Sequence, residues 1–200
     1  YIGGGSPSLL DSKWIERWLE SISKYFELQS KVEITLEVNP DDATKSYLNS
    51  IRQVGVNRIS LGIQTFDAVA LKLMNRIHTV KQSKTALEIT ANMFSNYSID
   101  LIYGMPENSF EQWNNDIDIA LFFSPVHISS YALTVEPKTV LAHKIGKGQI
   151  KMSDDDEVKI QYDHLVDRLC ILGYDHYELS NFGKPNYLSL IHNILCRPAI

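Results

Sequence analysis

The sequence predicts an α/β fold, an open partial (β/α) barrel, and three observations carry that expectation. Apolar residues alternate with period two in three segments, and helix-period segments separate these from one another and from a further strand, the pattern of βαβ units around a parallel sheet. The strands alternate rather than running continuously apolar, as they would in a sheet covered on both faces. The polar faces end, at successive strand termini, in Glu37, Gln64 and Asp100, the edge where α/β barrels assemble their sites.

Each element has its own signal. Tyr1-Ile2 is a strand stub running into Gly3-Gly4-Gly5, so the chain is expected to start inside a fold, N-terminally truncated. Asp11 is a helix cap for a stripe of Trp14, Ile15, Trp18, Leu19, Ile22 and Phe26. Residues 32–38 form a strand with Val32, Ile34, Leu36 and Val38 on one face. Tyr47, Leu48, Ile51 and Val54 share a helix side that Gly55 closes. Residues 58–64 alternate again, with Ile59, Leu61 and Ile63 inward. A helix near 81–94 precedes a strand over 98–103. Ser109 and Gln112 make a capping box for a helix with Phe110, Trp113, Ile117 and Leu121 inward. A strand over 126–133 follows, then a connecting excursion over 134–152. Ser153 with Asp156 caps a last helix bearing Val158, Tyr162, Leu165, Leu169 and Leu172, ended by Gly173, and a short strand holds His176-Tyr177-Glu178.

Composition sets the outer limits. The 200 residues carry 19 basic and 24 acidic side chains, a net charge of −5, and 44% are hydrophobic. That is enough apolar content for a core. A nucleic-acid partner would want a concentrated basic face, which this balance argues against. No stretch approaches the ~18 apolar residues of a membrane-spanning helix. Two cysteines, Cys170 and Cys196, form no CxxC pair and no disulfide framework. The oligomeric state is not written in the sequence.

The candidate chemistry gathers at one edge. Gly3-Gly4-Gly5-Ser6-Pro7 exposes backbone groups and lets a ligand approach closely, although it matches neither GxGxxG nor a Walker loop. Glu37, Gln64 and Asp100 are acceptors for hydroxyls and an ammonium group, and Arg76 offers a fork for a carboxylate. An amino acid joined to a sugar would satisfy that set. The six histidines show no metal-ligand spacing, and no nucleophilic triad can be inferred. No catalytic residue or metal ligand is therefore assigned.

Seven segments then carry a family resemblance: GGGSPS, ITLEVNP, NRISLGIQTF, NRIH, SIDLIYGMP, ISSYALTVEP and GYDHYELSNF. Together they resemble the radical S-adenosylmethionine (SAM) proteins related to oxygen-independent coproporphyrinogen III oxidase, and within them the HemW-like haem chaperones. The resemblance runs from Tyr1 to about His192. It implies SAM contacts from Gly4, Gly5, Ser6, Glu37, Gln64, Arg76 and Asp100, and a backbone contact from Ala132. It implies a radical SAM partial barrel over 1–133, lacking its first strand and cluster loop, and a C-terminal extension over 134–200. SAM, a [4Fe–4S] cluster in the complete protein, and haem are the implied cofactors. Haem-acceptor proteins are the implied partners, in the cytoplasm or the mitochondrion.

Two departures accompany the resemblance. The family's CxxxCxxC lies upstream of the glycine segment, and neither Cys170 nor Cys196 stands in for it. The chaperones' HNxxYW motif reads His192-Asn193-Ile194-Leu195-Cys196-Arg197 here, so the implied haem residue His192 lacks its tyrosine and tryptophan neighbours. The expected function is that of a piece of a haem chaperone. The alternative is a coproporphyrinogen III oxidase-like oxidoreductase, and a third reading is a barrel remnant that binds haem or a partner without SAM chemistry.

Overall fold

The computed structural model describes residues 1–189. Its frame is a sheet of β1 (Thr35–Val38), β2 (Arg58–Gln64), β3 (Tyr97–Tyr103), β4 (His127–Ala132), β5 (Asp175–Glu178) and β6 (Asn181–Gly183). The order is β1-β2-β3-β4-β6-β5: β1 to β4 pair in parallel, and the β5–β6 hairpin joins β4 antiparallel. The barrel is open, as the sequence predicts. Ile2 bridges Leu36 in parallel beyond β1, so the strand stub begins the sheet.

Helices cover the apolar face. They are α1 (Ser12–Ser23), α2 (Lys45–Gln53), α3 (Ala68–Leu73), α4 (Val80–Met93), α5 (Phe110–Phe122), α6 (Val140–Gly146) and α7 (Asp155–Ile171). The core joins Leu36, Ile59, Leu61, Ile63, Ile99 and Leu101 of the strands to Leu48, Ile51, Leu87, Trp113, Ile117, Leu165 and Leu169 of the helices. Asp11 caps α1, and Thr79–Gln82 and Ser109–Gln112 form capping boxes on α4 and α5. No helix among the described residues is long and apolar enough to cross a membrane.

The structure corrects the sequence reading at several points. The first strand starts at Thr35 rather than Val32, because the Asn57 side chain takes the bonds a ladder would use, accepting from Ile34 N at 2.8 Å and donating to Val32 O at 2.8 Å. On α1 only Ile15 is buried and Leu19 packs on the core, while Trp14, Trp18 and Ile22 stay half exposed and Phe26 lies beyond the helix. Phe110 also faces outward, edge-on to His164 at 4.8 Å, and Leu172 is exposed. The last helix is capped by Asp154 with Glu157, because the Ser153 hydroxyl is engaged with Met105 O at 3.1 Å. The helices α3 and α6 and the strand β6 escaped the periodicity, each being seven residues or shorter.

The polar face of the sheet is also drier than the alternation implies. Thr35, Arg58, Ser60, Ser98, His127, Ser129 and Asn181 are all buried. They satisfy one another across the strands: Ser98 donates to Ser60 at 3.0 Å, Ser129 to Asn181 at 3.0 Å, and His127 meets the Tyr177 hydroxyl at 2.7 Å. The C-terminal edge of this face opens into a cleft.

Candidate functional site

The cleft follows from local structure. Ile2 is fixed beside β1 by bonds from its N to Thr35 O (2.8 Å) and from Glu37 N to its own carbonyl (3.1 Å). The chain must then turn away over the end of β1, and Gly4 and Gly5 do so with φ of 82° and 70°, values that an L-residue with a Cβ resists. The short 3₁₀ turn Pro7–Leu9 follows, stitched to the loop after β1. Ser8 donates to Asp42 Oδ2 at 2.6 Å and accepts from Asn39 N at 3.3 Å, and Asn39 reaches Ser6 Oγ at 3.4 Å.

Glu37, next to last in β1, lies directly under this segment. Its carboxylate accepts from Gly4 N at 3.1 Å and from the Tyr1 hydroxyl at 2.9 Å. A Cβ at Gly3 would lie 2.6 Å from Glu37 Oε1 and 2.8 Å from Tyr1 Cε1, so the glycine is required for this close approach. Burial and the Glu37 charge both push the Tyr1 phenol well above its ordinary range.

On the next strands the cleft takes Ser60, Gly62 and Gln64 from β2 and Asp100 from β3, and Arg76 closes it from the loop after α3. Ser60 Oγ donates towards the Asp100 carboxylate at 3.3 and 3.4 Å. Asp100 is pushed up to about 7, chiefly by burial and then by the Glu37 charge, against the lowering influence of Ser60, Arg58 and Ser129. Arg76 is pulled down by burial while Asp100 and Asp41 oppose that shift. His78, two residues on, is buried with its Nδ1 4.0 Å from Asp41, and desolvation lowers its pKa, which keeps the ring neutral.

The structure therefore brings Gly5, Ser6, Glu37, Gln64, Arg76 and Asp100 around one cleft of about 130 Å³, with Gly4 bonded to its Glu37 wall. Ala132 is placed differently: it is exposed at the end of β4, paired with Tyr103 and outside the cleft lining. His192 lies outside the described residues. Sequence reasoning missed Ser8, Asn39 and Tyr131 as parts of the surroundings, and it named Gly3 only within the glycine run, without its contact to Glu37. Tyr131 is raised by burial and by the nearby Asp100. The signal for Asn39 was the Asn-Pro that ends ITLEVNP; nothing local marked Tyr131.

The donor set suits a ligand carrying an ammonium group, hydroxyls and a carboxylate. Two carboxylates accept, Arg76 donates as a fork, and a glycine cradle admits backbone contact. It does not suit a cluster. Among the described residues no group of three or more His, Cys, Asp or Glu side chains could hold a metal ion, and Cys170 is exposed on α7.

Comparison with known proteins places the chain in a family. Residues 1–120 match the family described as the Radical SAM superfamily. The chain is 37% identical over 195 residues to the heme chaperone HemW of Lactococcus lactis, covering 97% of this chain and 51% of that protein. With the Synechocystis heme chaperone HemW it shares 34% identity over 188 residues, 94% of this chain and 46% of the relative. Among solved structures, the Escherichia coli coproporphyrinogen III oxidase HemN, titled a radical SAM enzyme, superimposes with a TM-score of 0.78 at 25% identity. That match covers 92% of this chain and 42% of the oxidase. The chain spans about half the length of the curated relatives it matches.

Proposed function

From the premise that this chain belongs to the radical SAM superfamily, we propose that its cleft is a SAM site and that the protein is a haem chaperone similar to HemW. The observation that carries the SAM reading is the convergence of Glu37, Gln64, Arg76 and Asp100, from four separate segments, around the Gly3–Ser6 cradle. Glu37 and Asp100 would take the ammonium and hydroxyl donors, Arg76 the carboxylate, and Gly4, Gly5 and Ser6 the methionyl end. Ala132 would contribute only through its backbone.

When bound, SAM supplies a sulfonium whose carbon–sulfur bond a one-electron donor can open. In the radical SAM superfamily that donor would be a [4Fe–4S] cluster held by cysteine thiolates. The described residues of this chain do not fit such a cluster. The residues of this chain bind and orient the cofactor and hold its charges in a partly dry cleft. Residues 1–133 form the SAM-binding unit, and 134–200 form an extension whose His192 is the haem candidate. Haem and haem-acceptor proteins are the proposed partners. Both curated relatives named above are bacterial, which supports a cytoplasmic setting over a mitochondrial one.

Titration calorimetry with SAM tests the site: Glu37→Gln and Gln64→Ala should each weaken binding about tenfold, the loss of a hydrogen bond to a charged ligand. Unchanged affinity in both would refute the assignment. The structural likeness to the oxidase favours one second reading, an oxygen-independent coproporphyrinogen III oxidase-like activity. Anaerobic turnover of coproporphyrinogen by the reconstituted complete protein would establish that reading. Haem binding without turnover would establish the chaperone.

A further inference from the structure

Gln64 is held in an unusual backbone conformation, and the group that holds it lies outside the cleft. Its φ is +70°, and Thr65 N donates to Ile63 O at 2.9 Å, closing a three-residue turn around it. This positive-φ γ-turn is the rare and strained form, and for a residue with a Cβ it persists only where the surroundings impose it. It coincides with the break in β2–β3 register between Leu61 and Gln64. The turn lays the Gln64 side chain back over Gly62, where a Cβ would sit 3.0 Å from Nε2.

The constraint comes from α5. Asp116 is 1% exposed; one carboxylate oxygen accepts from Thr65 Oγ1 at 2.5 Å and the other from Phe66 N at 2.9 Å. Thr65 Oγ1 in turn accepts from Asp67 N at 3.0 Å. Asp67 caps α3 through Val69 N and Ala70 N, and Gln112, the capping-box residue of α5, donates to its other oxygen at 2.6 Å. The loop from the Gln64 turn into α3 is thus anchored to α5 at two places, and α3 leads to Arg76.

We infer that Asp116 is a positioning residue: its carboxylate clamps Thr65 and Phe66 and thereby holds the strained Gln64 turn in the form that faces the cleft. An amide at this place serves the two donors less well: with its oxygen on Phe66 N, its Nδ2 would donate to Thr65 Oγ1, leaving the displaced hydroxyl proton and the second amide N–H without a partner in a buried site. The inference deepens the SAM reading and rests on it.

The test is a double-mutant cycle of Asp116→Asn with Gln64→Ala, read by SAM calorimetry and by amide hydrogen exchange of the same samples. Asp116→Asn alone should accelerate exchange at Thr65 and Phe66 and weaken SAM binding about tenfold. In the Gln64→Ala background it should cost no further affinity, because the side chain that it positions is gone. Additive losses, or faster exchange with unchanged affinity, would overturn the clamp. Gln64→Ala that leaves SAM affinity unchanged would also overturn the positioning role, and the SAM reading itself fails only if Glu37→Gln leaves it unchanged as well. Thr65→Val, which removes one of the two clamped donors, guards against misfolding of Asp116→Asn. It should give the same non-additive loss, smaller in size, and an additive one would likewise overturn the inference.

Discussion

Glu37 closes against Gly3 so tightly that a single added carbon at Gly3 would lie 2.6 Å from its Oε1. The same carboxylate accepts the Gly4 amide at 3.1 Å. Glu37 of β1 and the glycine cradle are therefore one unit, and its disruption is the first test. In Gly3→Ala the new methyl meets only the ends of the Glu37 and Tyr1 side chains, which can swing aside. The fold should survive with a melting temperature within a few degrees, while SAM affinity falls about tenfold as Glu37 leaves Gly4. Calorimetry paired with a thermal melt checks this, and a large loss of stability with intact affinity would contradict it.

Asp100 makes the site sensitive to pH. Its carboxyl is pushed up to about 7, so the ionised fraction grows as pH rises through that value. A cationic ligand favours the ionised form. SAM affinity should therefore climb between about pH 6 and 8, with protons released on binding. Asp100→Asn should flatten the slope. Affinity that falls with pH over this window would contradict the assignment of Asp100 to the cationic part of the ligand.

Stability should respond in the opposite sense. Both Asp100 (about 7) and Asp116 (about 6) lie above the ordinary aspartate value of 3.8. In the window between that value and their raised ones, the folded chain binds more protons than the unfolded chain. Stability from these two groups is thus lost as pH rises from about 4 to 7. Asp100→Asn removes the larger part, and at pH 8 it should stabilise the chain by roughly 2 kcal/mol while weakening SAM binding. Urea unfolding at pH 5 and pH 8 measures both terms.

Arg58 offers a way to tune the site from outside it. The guanidinium is buried, with Glu33 3.9 Å away and Thr35 at 3.5 Å, and it does not line the cleft. It lowers the Asp100 pKa by its charge. Arg58→Met should leave the cleft's contacts in place and move the pH midpoint of SAM binding upward. A midpoint that stays fixed would mean that the two charges do not communicate.

The sheet was legible in the sequence because its strands alternate cleanly, and the cleft was legible because three of those strands carry polar residues on the same face, although only Gln64 ends its strand, Glu37 being next to last in β1 and Asp100 in the middle of β3. Glu37, Gln64 and Asp100 share a face but not a register: Glu37 pairs with Ser60 and Gln64 with Leu101. What could not be read depends on distance in space rather than in sequence. Asn57 shortens β1 from 23 residues away, and Asp116 reaches Thr65 from 51 residues away. On α1 the helical period marked an apolar stripe, yet period alone cannot say which part of a wide stripe meets the core; Ile15 does and Trp14 does not. Gly3 could be marked only as one of three consecutive glycines, because its particular requirement arises from the side chain of Glu37 and not from its own φ.

The measurement that tests the central claim most directly is residue-resolved hydrogen exchange of the chain with and without SAM. Binding at this cleft should slow exchange at Gly4 to Ser6, at Val38 and Asn39, and around Gln64 and Arg76, and leave the exposed face of α1 unchanged. Slowing confined to other segments, or none at saturating SAM, would contradict it.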